Sequence, residues 1–205
     1  MKKTIKELIE QRISANHFDT SRPLSDAEIG ELVRLATLAP SAFNFQNWHF
    51  VAVRTTKAKE RLKAVAYGQQ KVVDAAVTFI VCGTLAPQEG LASALAPSVE
   101  CGILDQGIVD SWVAMAKGMY ESNPQFQRDE AIRSACLAAM TLMLAAEGMG
   151  LVTCPMIGFD PAGVAKEFNL GPNVVPAMLV TTGYASAGNW TQKPRRAGRD
   201  LLTFV

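Results

Sequence analysis

Between Asp129 and Glu147 the chain reads DEAIRSACLAAMTLMLAAE, a run without proline or glycine that is dominated by Ala, Leu and Met. These residues are strong helix formers, and the apolar positions cover most of the circumference of the helix they make. A helix that is hydrophobic all round is buried, so this segment predicts a central helix around which the rest of the chain is arranged. Gly148 follows where a left-handed C-cap would close it.

The flanking sequence alternates helix and strand signals. Ile5, Leu8 and Ile9 mark one face of a helix running toward Arg12, a pattern that ends near Asn16. Ser25 and Glu28 form a capping box ahead of Ile29, Leu32, Val33 and Ala36, and Pro40 stops this second helix. His49 to Val53 reads as a short strand, Lys57 to Ala66 as a charged helix, and the β-branched run Val77 to Cys82 as a buried strand. Thr84 to Ser98 carries no clear signal. Gly102 to Tyr120 spaces Ile103, Ile108, Val109, Trp112, Met115, Ala116 and Met119 as a helix would, and ESNPQFQRDE reads as a polar break before the central helix. Leu151 to Met156 is a further strand. Asp160 and Pro161 supply the N-cap and first residue of a short helix through Phe168, and Pro176 to Thr182 forms the last strand before the basic QKPRRAGR. No repeat or linker divides the series, which predicts a single α+β domain over residues 1–205.

Charge limits the partners. With 20 Lys+Arg against 19 Asp+Glu, a net charge of +1 and no basic block, the chain lacks the electrostatic footprint of a nucleic-acid or anionic-membrane binder. No segment reads as the ~20 apolar residues that span a bilayer, and MKKTIKELIEQR has no apolar core of a signal peptide, so a cytoplasmic protein is expected. Hydrophobic residues make up 49% of the chain but aromatics only 7%, so the apolar excess is Ala, Leu, Val and Met. Either the core is unusually large or an interface buries the surplus. Cys82, Cys101, Cys136 and Cys154 lie 18 to 35 residues apart among apolar neighbours, with no CxxC pair; they read as reduced, buried small hydrophobes rather than metal ligands.

Common catalytic constellations are missing. The only histidines are His17 and His49, too few partners for a Ser/His/Asp or Cys/His machine, and His49 sits within a strand as a core or interface residue would. The GMGLVT segment lacks the third glycine of a dinucleotide turn and follows a helix. What remains is a set of small, cationic and amide residues at loop positions. Arg12 and Ser14 put a guanidinium and a hydroxyl at the end of the first helix, a pairing suited to phosphate. Ser41, Asn44 and Gln46 gather hydroxyl and amide groups in APSAFNFQNWHF. CPMIGFDP presents backbone at a strand end, where Pro155 and Gly158 permit close approach of a flat ligand, and Lys193 and Arg195 in QKPRR would complete a phosphate shell. Taken separately these four places leave the function open, since a solvated tail and ordinary loop packing explain each of them too.

In order and spacing, Arg12-Ile13-Ser14, then Pro40-Ser41-Ala42-Phe43-Asn44-Phe45-Gln46-Asn47-Trp48-His49-Phe50, then Glu147-Gly148-Met149-Gly150 leading to Pro155-Met156-Ile157-Gly158-Phe159-Asp160, and finally Lys193-Pro194-Arg195, resemble the FMN-dependent nitroreductase family across essentially the whole chain. The resemblance implies a central, mostly antiparallel sheet flanked by helices in an intertwined homodimer, which would account for the apolar excess. It implies that Arg12, Ser14, Lys193 and Arg195 contact the FMN phosphate and ribityl chain and that Gln46 approaches the ribityl or ring edge beside Asn44. Pro40, Ser41 and Ala42 would come from the second subunit. Backbone at Pro155, Met156, Ile157 and Gly158 would line the flavin N5 region, Gln69 and Lys71 would reach the pyrimidine edge, and Ser134 would be a contact from the second subunit. A cation there favours the anionic reduced flavin.

The implied chemistry is a two-step hydride transfer through flavin N5 from NAD(P)H to a small electron-poor acceptor, a nitroaromatic or a quinone, with no essential protein acid or base. Residues 100–128 would form a variable segment over the site, with Trp112, Met115, Met119, Tyr120 and Phe126 as its pocket wall. Other reductive chemistry on the same fold (dehalogenation, azoline dehydrogenation, flavin fragmentation) and FMN binding without turnover are the alternatives. The sequence departs from the family pattern at Asn16, a position often basic, at Asn47, usually proline, and at Ile157, where some members carry a glutamate.

Overall fold

The computed structural model describes residues 3–205. Helix α1 (Ile5–Gln11) and helix α2 (Asp26–Ala36) each begin on a capping box, with Thr4 and Glu7 bonded reciprocally in the first and Ser25 and Glu28 in the second. Strand β1 (Trp48–Val53), α3 (Thr56–Ala64), α4 (Lys71–Asp74) and β2 (Val77–Thr84) follow. The silent stretch after β2 folds as a 3-10 turn and α5 (Leu91–Glu100), and α6 (Gln106–Tyr120) follows it. The central helix α7 spans Pro124–Gly148, and β3 (Val152–Met156), α8 (Pro161–Glu167) and β4 (Val174–Gly183) complete the domain. The sheet is entirely antiparallel in the order β1-β2-β4-β3.

Three details differ from the sequence reading. The polar PQFQRDE is the first two turns of α7 rather than a break, because Pro124 occupies a first-turn position and the Asn123 side chain accepts from the Phe126 N–H as the N-cap. The left-handed residue that closes the helix is Gly150, at φ +77°, and not Gly148. Leu151 N–H donates to Ala146 and Gly150 N–H to Glu147, the two bonds of a Schellman closure. Helix α7 is also long and apolar enough to cross a bilayer, against the reading that no segment is.

Strand β2 is buried on both faces. Val77, Phe79 and Val81 pack with Leu32, Leu142, Ala146 and Val180 under α2 and α7, while Ile80 and Cys82 pack with Leu62, Val72, Val164 and Leu179 under α3, α4 and α8. This is why VTFIVC reads as a continuous apolar run. Helix α7 presents Ala131, Ala135, Ala138 and Ala139 to the interior, small residues that let it lie close on the sheet, together with the larger Leu142 and Met143. Its opposite face carries Leu137 and Met140 exposed and Leu144 half-buried, so the helix is central on one side and uncovered within the single chain on the other. A separate cluster joins α5 and α6 to the loop after α2, through Phe45, Leu91, Leu95, Val109, Ala116 and Tyr120.

Candidate functional site

The Arg12–Phe18 loop hangs on the start of β3. Ala15 N–H donates to the Thr153 carbonyl at 2.9 Å, and Ser14 bridges to Thr153 as a parallel strand would. At the other end of the chain, Ala185 pairs with Phe18, which brings the tail back across this loop. As a result Arg12, Ile13 and Ser14 line one pocket with Trp190, Thr191, Gln192, Lys193 and Arg195. Three cations and the hydroxyls of Ser14 and Thr191 line it with no carboxylate among them, a donor set that suits a phosphate dianion.

Lys71 reaches the same loop. Its ammonium donates to Asn16 Oδ1 at 3.0 Å and stands 3.5 Å from Cys154 Sγ. The departure at Asn16 thus places a polar oxygen against a cation delivered from α4. Gln69 instead turns toward the end of β3, where its Nε2 donates to the Gly158 carbonyl at 2.7 Å and to Ala66 at 3.2 Å. A Cβ on Gly158 would lie 3.2 Å from that nitrogen, tighter than ordinary contact, so the glycine is what allows the bond its present geometry. Within CPMIGFDP, Pro155 is half-buried, the Met156 side chain is buried in the core, and Ile157 is 82% exposed, the most open of the three.

The loop after α2 is conformationally strained. Phe43, Asn44 and Gln46 have φ of 51°, 58° and 51°, the left-handed region that non-glycine residues rarely occupy. Two devices hold them. Ser41 Oγ accepts from Gln46 N–H at 2.9 Å, and Phe43 and Phe45 stack edgewise or tilted on Trp112 and Tyr120, at 6.0 and 5.1 Å between ring centroids. Asn44 and Gln46 are left exposed, with Pro40 also exposed and Ser41 and Ala42 half-buried beside them. Asn47, in place of the family proline, is buried and donates from Nδ2 to the Thr84 carbonyl at 3.1 Å, tying the loop to the end of β2.

Several sequence expectations do not hold. Ser134 is fully buried and its hydroxyl bonds Glu130 at 3.2 Å, so it presents no surface to a ligand from another subunit. Tyr120 is buried too, donating to Glu130 Oε2 at 3.2 Å, and burial with the adjacent carboxylate pushes its phenol up to about 12; it is core, not pocket wall. Phe126 is half-buried and stacks on Tyr120 at 4.8 Å, and Trp112 is half-buried against Phe43, while Met115 and Met119 stand exposed on α6. His49 is exposed on the edge strand, which removes the core half of its core-or-interface reading, and Cys101 is exposed rather than a buried hydrophobe. Buried Cys82 does behave as a hydrophobe, its thiol pushed up to about 12 by burial.

The sequence reading passed over Asn189, Trp190 and Gln192, which face the Arg12 loop from the tail. The run GNWTQKP just before the basic residues held a signal: two amides flanking an indole.

The Nitroreductase family model matches residues 9–184. Two relatives from Bacillus subtilis, both named as NAD(P)H nitroreductases, are similar: MhqN at 38% identity over 97% of this chain and 96% of its own, and YodC at 36% over 87% and 88%. A nitroreductase-type structure from Exiguobacterium sibiricum, solved in complex with FMN, superposes with a TM-score of 0.90 at 28% identity, covering 99% of this chain and 98% of its own. With the family model spanning most of the sequence and these relatives matching nearly end to end, the chain belongs to the nitroreductase family.

Proposed function

We propose that the protein is an FMN-dependent NAD(P)H oxidoreductase that reduces small electron-poor acceptors, nitroaromatics or quinones, and works as a homodimer. The observation that carries the reading is the pocket in which Arg12 and Ser14 from the start of the chain meet Lys193 and Arg195 from its end. Its cationic, hydroxyl-bearing donor set fits the FMN phosphate.

When bound, FMN supplies hydride exchange at N5, taking hydride from NAD(P)H and giving it to the acceptor. The chain's own work is placement. Arg12, Ser14, Lys193 and Arg195 hold the phosphate, and Lys71 adds positive charge from α4. Gln69 fixes the carbonyl of Gly158, which keeps the backbone of Pro155, Met156, Ile157 and Gly158 at the end of β3 in one orientation for the ring. Asn44 and Gln46 offer amides from the strained loop, with Pro40, Ser41 and Ala42 of the partner subunit completing the wall. Trp112, Phe126, Met115 and Met119 remain as the acceptor-side wall, the two methionines being the members free to adapt to acceptor size. No side chain is assigned a proton transfer.

The dimer rests on the apolar face of α7. Leu137 and Met140 lie uncovered in the single chain, and Ile5, Leu8, Leu35, Leu38, half-buried Leu144 and Met149 line an apolar groove beside them. A second copy over that face buries the surplus Ala, Leu and Met of the composition.

The test is spectroscopic. Purified protein shows the visible absorption of oxidised flavin, and anaerobic NADH or NADPH bleaches it. Full FMN occupancy without bleaching by either nucleotide would sink the reductase reading, and Arg195→Ala with unchanged FMN affinity would remove the tail from the phosphate site.

A further inference from the structure

The cations of the tail do not hold themselves in place. Lys193, Arg195 and Arg12 line one pocket without a carboxylate, so before any anion binds they repel one another. Among the described residues, the hydrogen bonds of residues 193–205 all stay within the tail: Arg195 Nη1 bonds the Lys193 and Pro194 carbonyls, and Arg196 bonds Asp200. The attachment lies just upstream. Asn189 Oδ1 accepts from the N–H groups of Asn16 and His17 at 2.7 and 3.0 Å, and its Nδ2 donates to the carbonyls of His17 and Ser186 at 2.7 and 3.1 Å. Gln192 Nε2 donates to the carbonyls of Ile9 and Arg12 at 3.2 and 3.1 Å, which satisfies two acceptors left open where α1 ends.

The backbone is shaped for this. Gly188 has φ +94°, and a Cβ there would lie 3.3 Å from the His17 ring, so the turn into Asn189 needs a glycine on both counts. Past Gln192, the Lys193 ammonium sits 4.9 Å from the Trp190 ring centroid, a cation–π contact that keeps the amine beside the pocket.

We propose that Asn189 and Gln192 are positioning residues for the phosphate site: two amide clamps that fasten the tail to the Arg12-Ile13-Ser14 loop and hold Lys193 and Arg195 where an anion needs them. Asn189 lies outside the pocket lining, and Gln192, though it lines the pocket, spends its amide nitrogen on the Ile9 and Arg12 carbonyls. Each lowers the ordering cost of binding by fixing the cations in advance. The inference rests on the FMN reading and assigns to it two residues outside the four motifs.

A pair of ligands isolates the effect. FMN and riboflavin share the ring and ribityl chain and differ in the phosphate, so the ratio of their affinities reads the anion site alone. Asn189→Ala, Gln192→Ala and the double variant are titrated as apoprotein with each flavin by fluorescence quenching, with melting temperature as the check on folding. FMN affinity is expected to fall roughly tenfold or more in the double variant, the size of one charged hydrogen bond, while riboflavin affinity holds. Equal loss for both flavins, or no loss for either, overturns the positioning role. Gln192→Ala is decisive if Asn189→Ala melts early, because Gln192 is an exposed side chain. A wild-type protein that binds the two flavins equally overturns the phosphate reading itself, an outcome distinct from a wild-type preference that the variants retain.

Discussion

Gly83 is the point at which sheet and central helix meet most closely, and Gly83→Ala tests that packing directly. A Cβ at this position would lie 2.0 Å from the carbonyl oxygen of Ala131, 2.4 Å from its carbon and 2.6 Å from its Cα. Ordinary contact begins at 3.4 Å, so β2 and α7 must separate by about 1.4 Å. The obstruction is backbone, which cannot rotate away as a side chain would. Overpacking of this kind costs about 1–3 kcal/mol, and a rigid neighbour puts the value at about 3. For a chain of this size each kcal/mol moves the melting temperature by roughly 2–4 °C, giving a fall of about 6–12 °C. Gly30→Ala in α2 and Gly118→Ala in α6 are the controls, since nothing lies within 4 Å of a Cβ at either. Alanine is favoured over glycine in a helix interior by ~0.8–1 kcal/mol, so both should melt a few degrees higher. Calorimetry at one protein concentration and one flavin occupancy keeps dimerisation and ligand linkage constant. A Gly83→Ala protein melting within about 2 °C of wild type refutes the close approach, given what even the low end of overpacking costs.

Leu137→Lys, on the uncovered face of α7, should shift the protein toward monomer in sedimentation velocity and lower its flavin content; an unchanged sedimentation coefficient would move the interface elsewhere. Tyr120→Phe removes a donor from buried Glu130, which keeps Arg133 and Ser134, and should cost about 1–3 kcal/mol of stability by thermal melting; a melt equal to wild type would mean that the carboxylate does not depend on the phenol. Glu28 is held below the usual carboxylate range by hydrogen bonds from the Ser25 side chain and backbone. Its contribution is therefore present above the unfolded carboxylate range and lost as pH falls through the folded value. Glu28→Gln should destabilise the protein at neutral pH and leave acid stability unchanged, as read from urea midpoints across pH; equal loss at both would assign the effect to packing.

How much of this was legible depends on how local the signal is. The Ser25–Glu28 capping box and the Asp160-Pro161 helix start are readable because cap chemistry lies within four residues. The stretch 84–98 was silent because α5 owes its place to contacts with Phe45 and α6, not to a periodic pattern of its own. Ser134 and Tyr120 were misread for a related reason. Their polar atoms are consumed by Glu130, four and ten residues away, and no spacing rule distinguishes a buried acceptor there from open solvent. The four motifs gave the pocket's cations, but its assembly turns on Asn189 and Gln192, whose bonds cross 172 to 183 residues of sequence.

The central helix shows what an all-round apolar pattern specifies and what it leaves out. Such a pattern demands that every face be covered, and within one chain α7 meets that demand only on the face of Ala131, Ala135, Ala138 and Leu142. The alanines matter as much as the burial. Small residues at the start of the buried face set the helix close enough for Ala131 to touch Gly83, Leu142 and Met143 fill the core further along, and Leu137 and Met140 stand on the side the chain does not cover. The exposed Leu137 and Met140 are what the proposed second copy against α7 would cover. On the proposed reading that interface would also adjoin the site, because the loop carrying Pro40, Ser41 and Ala42 leaves α2 beside the groove that Leu35 and Leu38 line.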